Sequence, residues 1–353
     1  MGELRAGILG AGGYTGSELT RLVHVHPRLE LAWLGGRDNA GKRLGEVLPS
    51  TEGVAGVGER VVEAFDPADA PRLAARLDVV FSALPQGQSA AAVAALYAAG
   101  LIVVDLSADF RLRDAASYQA WYGAHAAPEL LGRAVYGLPE LHRAELAGAR
   151  LIAAPGCYPT SAVLPLAPLL GAGLIEPSGI VIDSKSGVSG AGKKPSEATH
   201  FAEAAEGVRP YKIAGAHRHT PEIEQELSAV CGAPLRVTFT PHLLPMTRGI
   251  LSVAYARPRA GTTVEACRSA ALERYAGGLV TVLPAGKLPD TLWVRGSARA
   301  HVAYALDERT GTLLAMGAID NLARGASAQA IQALNVSRGW PDATGLPEIG
   351  QFP

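Results

Sequence analysis

The sequence predicts an α/β protein of two domains, an open parallel sheet followed by a more antiparallel α+β domain. Three observations predict it. The chain has 353 residues, longer than a single hydrophobic core usually organises. Its first half alternates apolar strand runs with helical ones, whereas beyond residue 180 strand runs dominate. A glycine-rich turn, Gly10-Ala11-Gly12-Gly13-Tyr14-Thr15-Gly16, separates the first strand from the first helix.

Taken in order, residues 6–9 read as a strand. After the glycine turn comes a helix over about 17–26, with Leu19, Leu22 and Val23 on one face, and then a strand over 29–34, which is βαβ order. The runs 78–83 and 101–106 are continuously apolar, as central parallel strands buried on both faces must be, and an alanine-rich helix over 89–99 lies between them. A strand over 151–154 breaks at Pro155-Gly156, and a helix restarts at Cys157, with Pro159 suited to its first turn. Strands are then expected at 180–183, 235–240, 249–255, 293–294, 301–306 and 312–317. The tail 320–335 returns to helix, with Leu322, Ala326, Ala330 and Leu334 at fourfold spacing. The expected domains are 1–156, completed by 320–353, and 157–319.

Charge excludes little except large single-sign surfaces. Thirty-two Lys and Arg against 33 Asp and Glu argue against a nucleic-acid or anionic-membrane partner. Cys157, Cys231 and Cys267 are far apart, show no metal-ligand spacing and leave one over in any disulfide scheme. No metal site is expected, and a reducing cytoplasm is the expected location. The longest apolar run, 162–170, is short and broken by Pro165 and Pro168, and no basic-then-apolar leader precedes the first strand. Neither membrane insertion nor secretion is expected.

Several segments carry chemistry. In the strand–turn–helix context, Gly10, Gly12, Gly13 and Gly16 let backbone N–H groups approach a pyrophosphate, with Tyr14 and Thr15 as candidate contacts in the same turn. Arg37 follows the second strand, where an arginine meets a 2′-phosphate and an acid would meet a ribose hydroxyl. NADP is favoured over NAD, although Asp38 could serve as the acid. Cys157 at a helix N-terminus is a candidate nucleophile, because unpaired N–H groups and the dipole favour thiolate. In Gly215-Ala216-His217-Arg218-His219-Thr220-Pro221-Glu222, Thr220 is the candidate N-cap of a helix, and both histidines precede it, where the dipole favours neutral imidazole. Ser186-Gly187-Val188-Ser189-Gly190-Ala191-Gly192-Lys193-Lys194 offers small residues, hydroxyls and two cations and can wrap an anion, but it lacks the Walker ending. Ser107 and Arg111 lie past the strand 101–106, where open α/β sheets place ligands. Arg111 could clamp a carboxylate, and Asp109 could pair with it instead.

Together these segments resemble the N-acetyl-γ-glutamyl-phosphate reductase family, arginine-biosynthetic enzymes related to aspartate-semialdehyde dehydrogenase and more distantly to glyceraldehyde-3-phosphate dehydrogenase. The carriers are GAGGYTG at 10–16, DLSADFR at 105–111, PGCYPT at 155–160, SGVSGAG at 186–192, GAHRHTPEIEQEL at 215–227, HLLPMTRGIL at 242–251 and AIDNL at 318–322. The resemblance implies a Rossmann NADP-binding domain and a catalytic domain that also mediates oligomerisation, as a homodimer or homotetramer. It implies Cys157 as nucleophile and a histidine of the 217–219 segment as acid/base. It further implies NADP contacts from Leu84, Pro85, Ser186, Gly187 and Asn321, and contacts to a small acyl-phosphate substrate from Ser107, Arg111, Ser189, Arg218 and Glu222. Of the two histidines His219 is preferred, since Glu222 could orient it, and His217 stays a candidate.

Two departures stand out. Gln86 replaces the histidine of the family's LPHG, and Ala328 stands where a glycine is common. The nearest rival is the carrier-protein-linked aminoadipyl-phosphate reductase of lysine biosynthesis, in which Tyr158-Pro159 is typically Asn-Ala. A non-catalytic NADP-sensing protein is the rival of another class, and it would have no use for Cys157 or the two histidines.

Overall fold

The computed structural model describes residues 3–353. The chain divides into two compact units: residues up to Pro155 with Ala326–Leu346, and Gly156–Gly325 with Pro347–Pro353.

The first unit holds β1 (Leu4–Leu9), β2 (Leu29–Gly35), β3 (Val79–Ser82), β4 (Ile102–Asp105), β5 (Val135–Tyr136) and β6 (Leu151–Ala153). They form one sheet in the order β2-β1-β3-β4-β6-β5, with every pair parallel. Every residue of β3 and β4 is buried, which is why both read as unbroken apolar runs. The chain leaves β1 toward β2 on one side and returns to β3 on the other. The carboxyl ends of β1 and β3 therefore meet at the switch point where such sheets bind ligands. Leu9, Trp33, Val80, Val93, Leu96, Val103, Phe110 and Leu151 belong to the core of this unit.

The helix Ala328–Ser337 completes the unit and is buried along its whole length. It begins eight residues later than the expected 320, because residues 323–327 form a π-turn first. Two of its polar side chains donate to backbone carbonyls. The Gln329 amide donates to Gly137 O at 2.7 Å, and Asn335 donates to the carbonyls of Asp342 and Thr344 at 3.0 and 2.9 Å. With both amide protons committed, Asn335 Oδ1 accepts from Nε2 of buried His26 at 3.1 Å. Nδ1 of His26 accepts the Arg28 N–H, so the neutral ring carries its proton on Nε2.

The second unit holds β7 (Ile180–Gly187), β8 (Arg209–Pro210), β9 (Val237–Leu244), β10 (Ile250–Ala256), β11 (Val280–Val282), β12 (Ala300–Asp307) and β13 (Thr312–Ile319). Their order is β11-β12-β13-β10-β7-β9-β8. Only β7–β9 and β11–β12 are parallel pairs among the described residues, so the sheet is mixed. The expected strand at Trp293-Val294 is instead the end of a short helix, Thr291–Val294, whose first turn is capped by the Asp290 carboxylate at 2.8 Å.

The helix Cys157–Gly171 packs against this sheet, buried from Tyr158 to Leu170. Pro168 cannot donate to the carbonyl of Leu164, and the Tyr275 hydroxyl supplies that bond at 2.6 Å. At Pro165 the sheet comes close. A β-carbon on Gly317 of β13 would lie 2.2 Å from Ser161 O. A chain of hydroxyls, Ser161–Ser252 at 2.7 Å and Ser252–Ser184 at 2.6 Å, links the helix to β10 and β7.

Candidate active site

In the first unit, the glycine turn after β1 is shaped by contacts that only glycine allows. Gly10 has φ +90°, and a β-carbon there would fall 2.7 Å from Ala83 O, so the turn lies directly on the chain entering Leu84 and Pro85. A β-carbon at Gly16 would stand 2.3 Å from Gly10 O. Gly13 is the N-cap, extended and with no side chain capping the helix Tyr14–Val25, which starts three residues earlier than expected. The result is a helix N-terminus framed by glycines at a sheet switch point, a cradle whose N–H groups fit a pyrophosphate. Arg37 follows β2, its side chain 84 % exposed and 3.4 Å from Asp38.

Past β4, Ser107 and Arg111 are buried. The Ser107 hydroxyl donates to Asp105 at 2.6 Å, and Arg111 donates to Ala154 O and Leu106 O, both at 2.8 Å. Asp109 accepts N–H groups from Gly87, Ser89 and Ala90, capping the start of the helix Ala90–Ala98. Burial pushes the Asp105 carboxyl up to about 6, against hydroxyl bonds from Ser107 and Ser89 that lower it.

In the second unit, Cys157 is the first residue of its helix, with Gly156 as an extended N-cap and no side-chain cap. Pro159 is third in the helix, still within the turn whose N–H groups have no intrahelical acceptor. The 217–222 segment is tied to this helix start by one bond, from the Gly156 N–H to Glu222 Oε1 at 2.7 Å. His219, not the expected Thr220, occupies the N-cap of the helix Thr220–Cys231. Thr220 is its first residue and Pro221 its second.

His217 is enclosed by rings set edgewise: Tyr158 at 5.5 Å, Tyr211 at 5.5 Å, Phe239 at 5.3 Å and His219 at 4.9 Å between centroids. Its burial, with Lys212 and Arg218 nearby, lowers its imidazole to about 4. Nδ1 of His217 accepts the His219 N–H at 3.1 Å, so the neutral ring holds its proton on Nε2. The His219 ring lies 5.9 Å from that of Tyr158. Sequence reasoning gave Tyr158 and Tyr211 no role in this cluster. The Tyr211 hydroxyl donates to that of Tyr158 at 2.9 Å, and burial raises both phenols, with the proximity of Cys157 adding a smaller push in the same direction.

Ser186, Gly187, Ser189 and Asn321 converge at the end of β7. The Asn321 amide donates to Ser189 Oγ at 2.8 Å and accepts the Gly249 N–H at 2.7 Å. Gly187 N–H reaches Gly249 O at 2.9 Å, and a β-carbon on Gly187 would lie 2.8 Å from two carbonyls of the 246–248 turn. No group of three or more potential metal ligands occurs among the described residues. No helix of the described residues is long and apolar enough to cross a membrane.

Residues 5–149 match the family model described as semialdehyde dehydrogenase, NAD binding domain, and residues 157–321 match semialdehyde dehydrogenase, dimerisation domain. The N-acetyl-gamma-glutamyl-phosphate reductase of Magnetococcus marinus is 47% identical over 352 residues, covering 99% of each chain. That of Syntrophobacter fumaroxidans is 48% identical over 345 residues, covering 98% of each. Among solved structures, aspartate semialdehyde dehydrogenase II of Vibrio cholerae superposes with a TM-score of 0.70 at 17% identity, covering 95% of this chain and 98% of that one. The aspartate semialdehyde dehydrogenase of Candida albicans gives 0.66 at 18%, covering 94% and 98%. These two share the fold. Near-half identity across the full length, together with two adjoining domain matches, shows that the chain belongs to the N-acetyl-gamma-glutamyl-phosphate reductase family of semialdehyde dehydrogenases.

Proposed function

We propose that this oxidoreductase converts N-acetyl-γ-glutamyl phosphate to N-acetylglutamate 5-semialdehyde and phosphate, a step of arginine biosynthesis, through a thioester on Cys157. The observation that carries the reading is the Gly156–Glu222 bond at 2.7 Å, which joins the helix start bearing the thiol to the helix start bearing the histidines.

The Cys157 thiolate attacks the acyl carbon. A C–S bond forms, the C–O bond to phosphate breaks, and phosphate leaves. The glycine turn at 10–16 would hold a nicotinamide dinucleotide, which would supply hydride chemistry for reduction of the thioester carbonyl. His219 takes the thiol proton before attack and returns it to the thiohemiacetal oxygen. The aldehyde forms when that oxygen is deprotonated again and the C–S bond breaks. His217, neutral near pH 7 with its Nε2–H as donor, suits holding an oxygen of the substrate better than moving protons. Arg37 selects NADPH by its open side chain. Ser107 and Arg111, with hydroxyl and guanidinium bonded within the first unit, shape the floor past β4, whereas Ser189, Arg218 and Glu222 act from the second unit. The enzyme works in the cytoplasm as a homodimer or homotetramer, and its domains divide at 156 and 320.

The test is reduction of NADP⁺ in the presence of N-acetylglutamate semialdehyde and phosphate, with Cys157→Ser as control. Phosphate-dependent turnover that vanishes in the variant supports the reading. Phosphate-independent oxidation, or a variant that still turns over, refutes it.

A further inference from the structure

Asp320 is wholly buried just past the end of β13, and the AIDNL motif that contains it assigns it no role of its own. Its carboxylate gathers donors from three segments. Oδ2 accepts the Gly296 N–H at 2.6 Å, and Oδ1 accepts the N–H groups of Leu322 and Ala323 at 2.8 and 2.9 Å. Arg248 Nε donates to Oδ1 at 3.2 Å and lies 2.9 Å from Oδ2. Its own carbonyl accepts the Gly325 N–H at 2.8 Å. Placing a carboxylate in such a site is costly unless its lone pairs are met, and here they are.

What the carboxylate holds matters. The turn it closes carries Asn321, which bonds Ser189 and Gly249, and ends at Gly325, whose α-carbon abuts Cys157. Arg248 belongs to the 246–249 turn, whose carbonyls receive the N–H groups of Gly187, Val188 and Ser189. One buried anion therefore fixes the backing of the thiol and the loop 186–189 at once.

We propose that Asp320 is a positioning residue for the reaction, setting Gly325 against Cys157 and, through Arg248 and Asn321, the 186–189 loop. This rests on the reading of Cys157 as nucleophile. Asp320→Asn keeps an acceptor for Leu322, Ala323 and Arg248 Nε but loses the charge that pairs with Arg248, and its NH₂ faces the Gly296 N–H, a donor it cannot satisfy. Turnover is expected to fall about 10- to 100-fold, as for other misplacements of about an ångström. The KM for the nicotinamide nucleotide should stay within about twofold, and alkylation of Cys157 by iodoacetamide within about threefold, because the helix start still stabilises the thiolate. A role confined to stability would lower the melting temperature and leave turnover intact below it, which would overturn the proposal. So would parallel losses of turnover and alkylation. Should Asp320→Asn fail to fold, Arg248→Gln, which leaves three N–H groups on Asp320, must show the same split in smaller degree, and unchanged turnover there overturns the proposal. Cys157→Ser, assayed alongside, separates the two readings. An active Cys157→Ser sinks the nucleophile, whereas an inactive one beside an unimpaired Asp320→Asn sinks this inference alone.

Discussion

The α-carbon of Gly325 lies so close to Cys157 that a β-carbon on the glycine would stand 2.8 Å from the cysteine Cβ and 3.2 Å from its Cα. Neither atom is the end of a flexible side chain, so the backbone itself must move to admit a methyl group. Gly325→Ala should cost about 1–3 kcal/mol through overpacking. It should lower turnover at least about tenfold while leaving nucleotide affinity within about twofold. Steady-state kinetics and thermal melting check this, and an alanine variant with full turnover would show that the contact does not place the thiol.

For the two histidines the expected split is in kcat against KM. His219→Asn should lower kcat by roughly 10² to 10⁴, the range for losing a general acid/base. His217→Asn should act chiefly on substrate KM. A pH–rate limb belonging to His217 would fall near 4, where burial places its imidazole. An acid limb that sits near 4 and disappears in His217→Asn would reverse the assignment.

Arg37 stands largely in solvent with Asp38 beside it. Arg37→Ala should raise the KM for NADPH about tenfold or more and leave that for NADH nearly unchanged, since only NADPH offers a 2′-phosphate. Equal effects on both would transfer the choice of cofactor to Asp38.

His26 gives a pH dependence of stability. Burial lowers its imidazole below the ordinary 6.5, outweighing the Asn335 bond that raises it. The folded state thus refuses a proton that the unfolded chain accepts. The stabilisation is complete above about 6.5, the unfolded value, and is lost as pH falls from there toward the lowered folded value. His26→Gln, which does not titrate, should flatten the fall in melting temperature between pH 7 and 5. Parallel melting curves for variant and parent would refute the linkage.

How much of this was legible in the sequence follows from length of signal. Runs such as 78–83 and the fourfold stripe 322–334 carry enough residues for periodicity to speak: β3 lies within the first, and the closing helix overlaps the second. β5, β8 and β11 have two or three residues each, too few for alternation to register. Trp293 and Val294 misled because an aromatic next to a β-branched residue favours strand, while the cap at Asp290, which decides for helix, lies three residues upstream. The Thr220 cap was assigned by residue type, yet the backbone enters the helix one residue earlier at His219. Cys157, His217 and His219 stood out because their side chains are chemically rare. Asp320, Tyr158 and Tyr211 did not, since what distinguishes them is burial and the partners brought to them across β7, β9 and β13.

The helix Ala328–Ser337 belongs to a unit most of whose residues precede Gly156, so the chain order of synthesis differs from the order of the finished parts. The segment Gly156–Gly325 is nearly all of its own unit and can collapse as soon as it is made. The first sheet has to wait for the last helix, with Gly137 and His26 meeting partners 192 and 309 residues further on. Closing so long a loop costs entropy before any contact repays it. Until then the nascent sheet keeps an apolar face uncovered. Interruption of translation or proteolytic cleavage just before Ala326 should therefore cripple the nucleotide-binding half, the part made first, and leave it the more prone to aggregate.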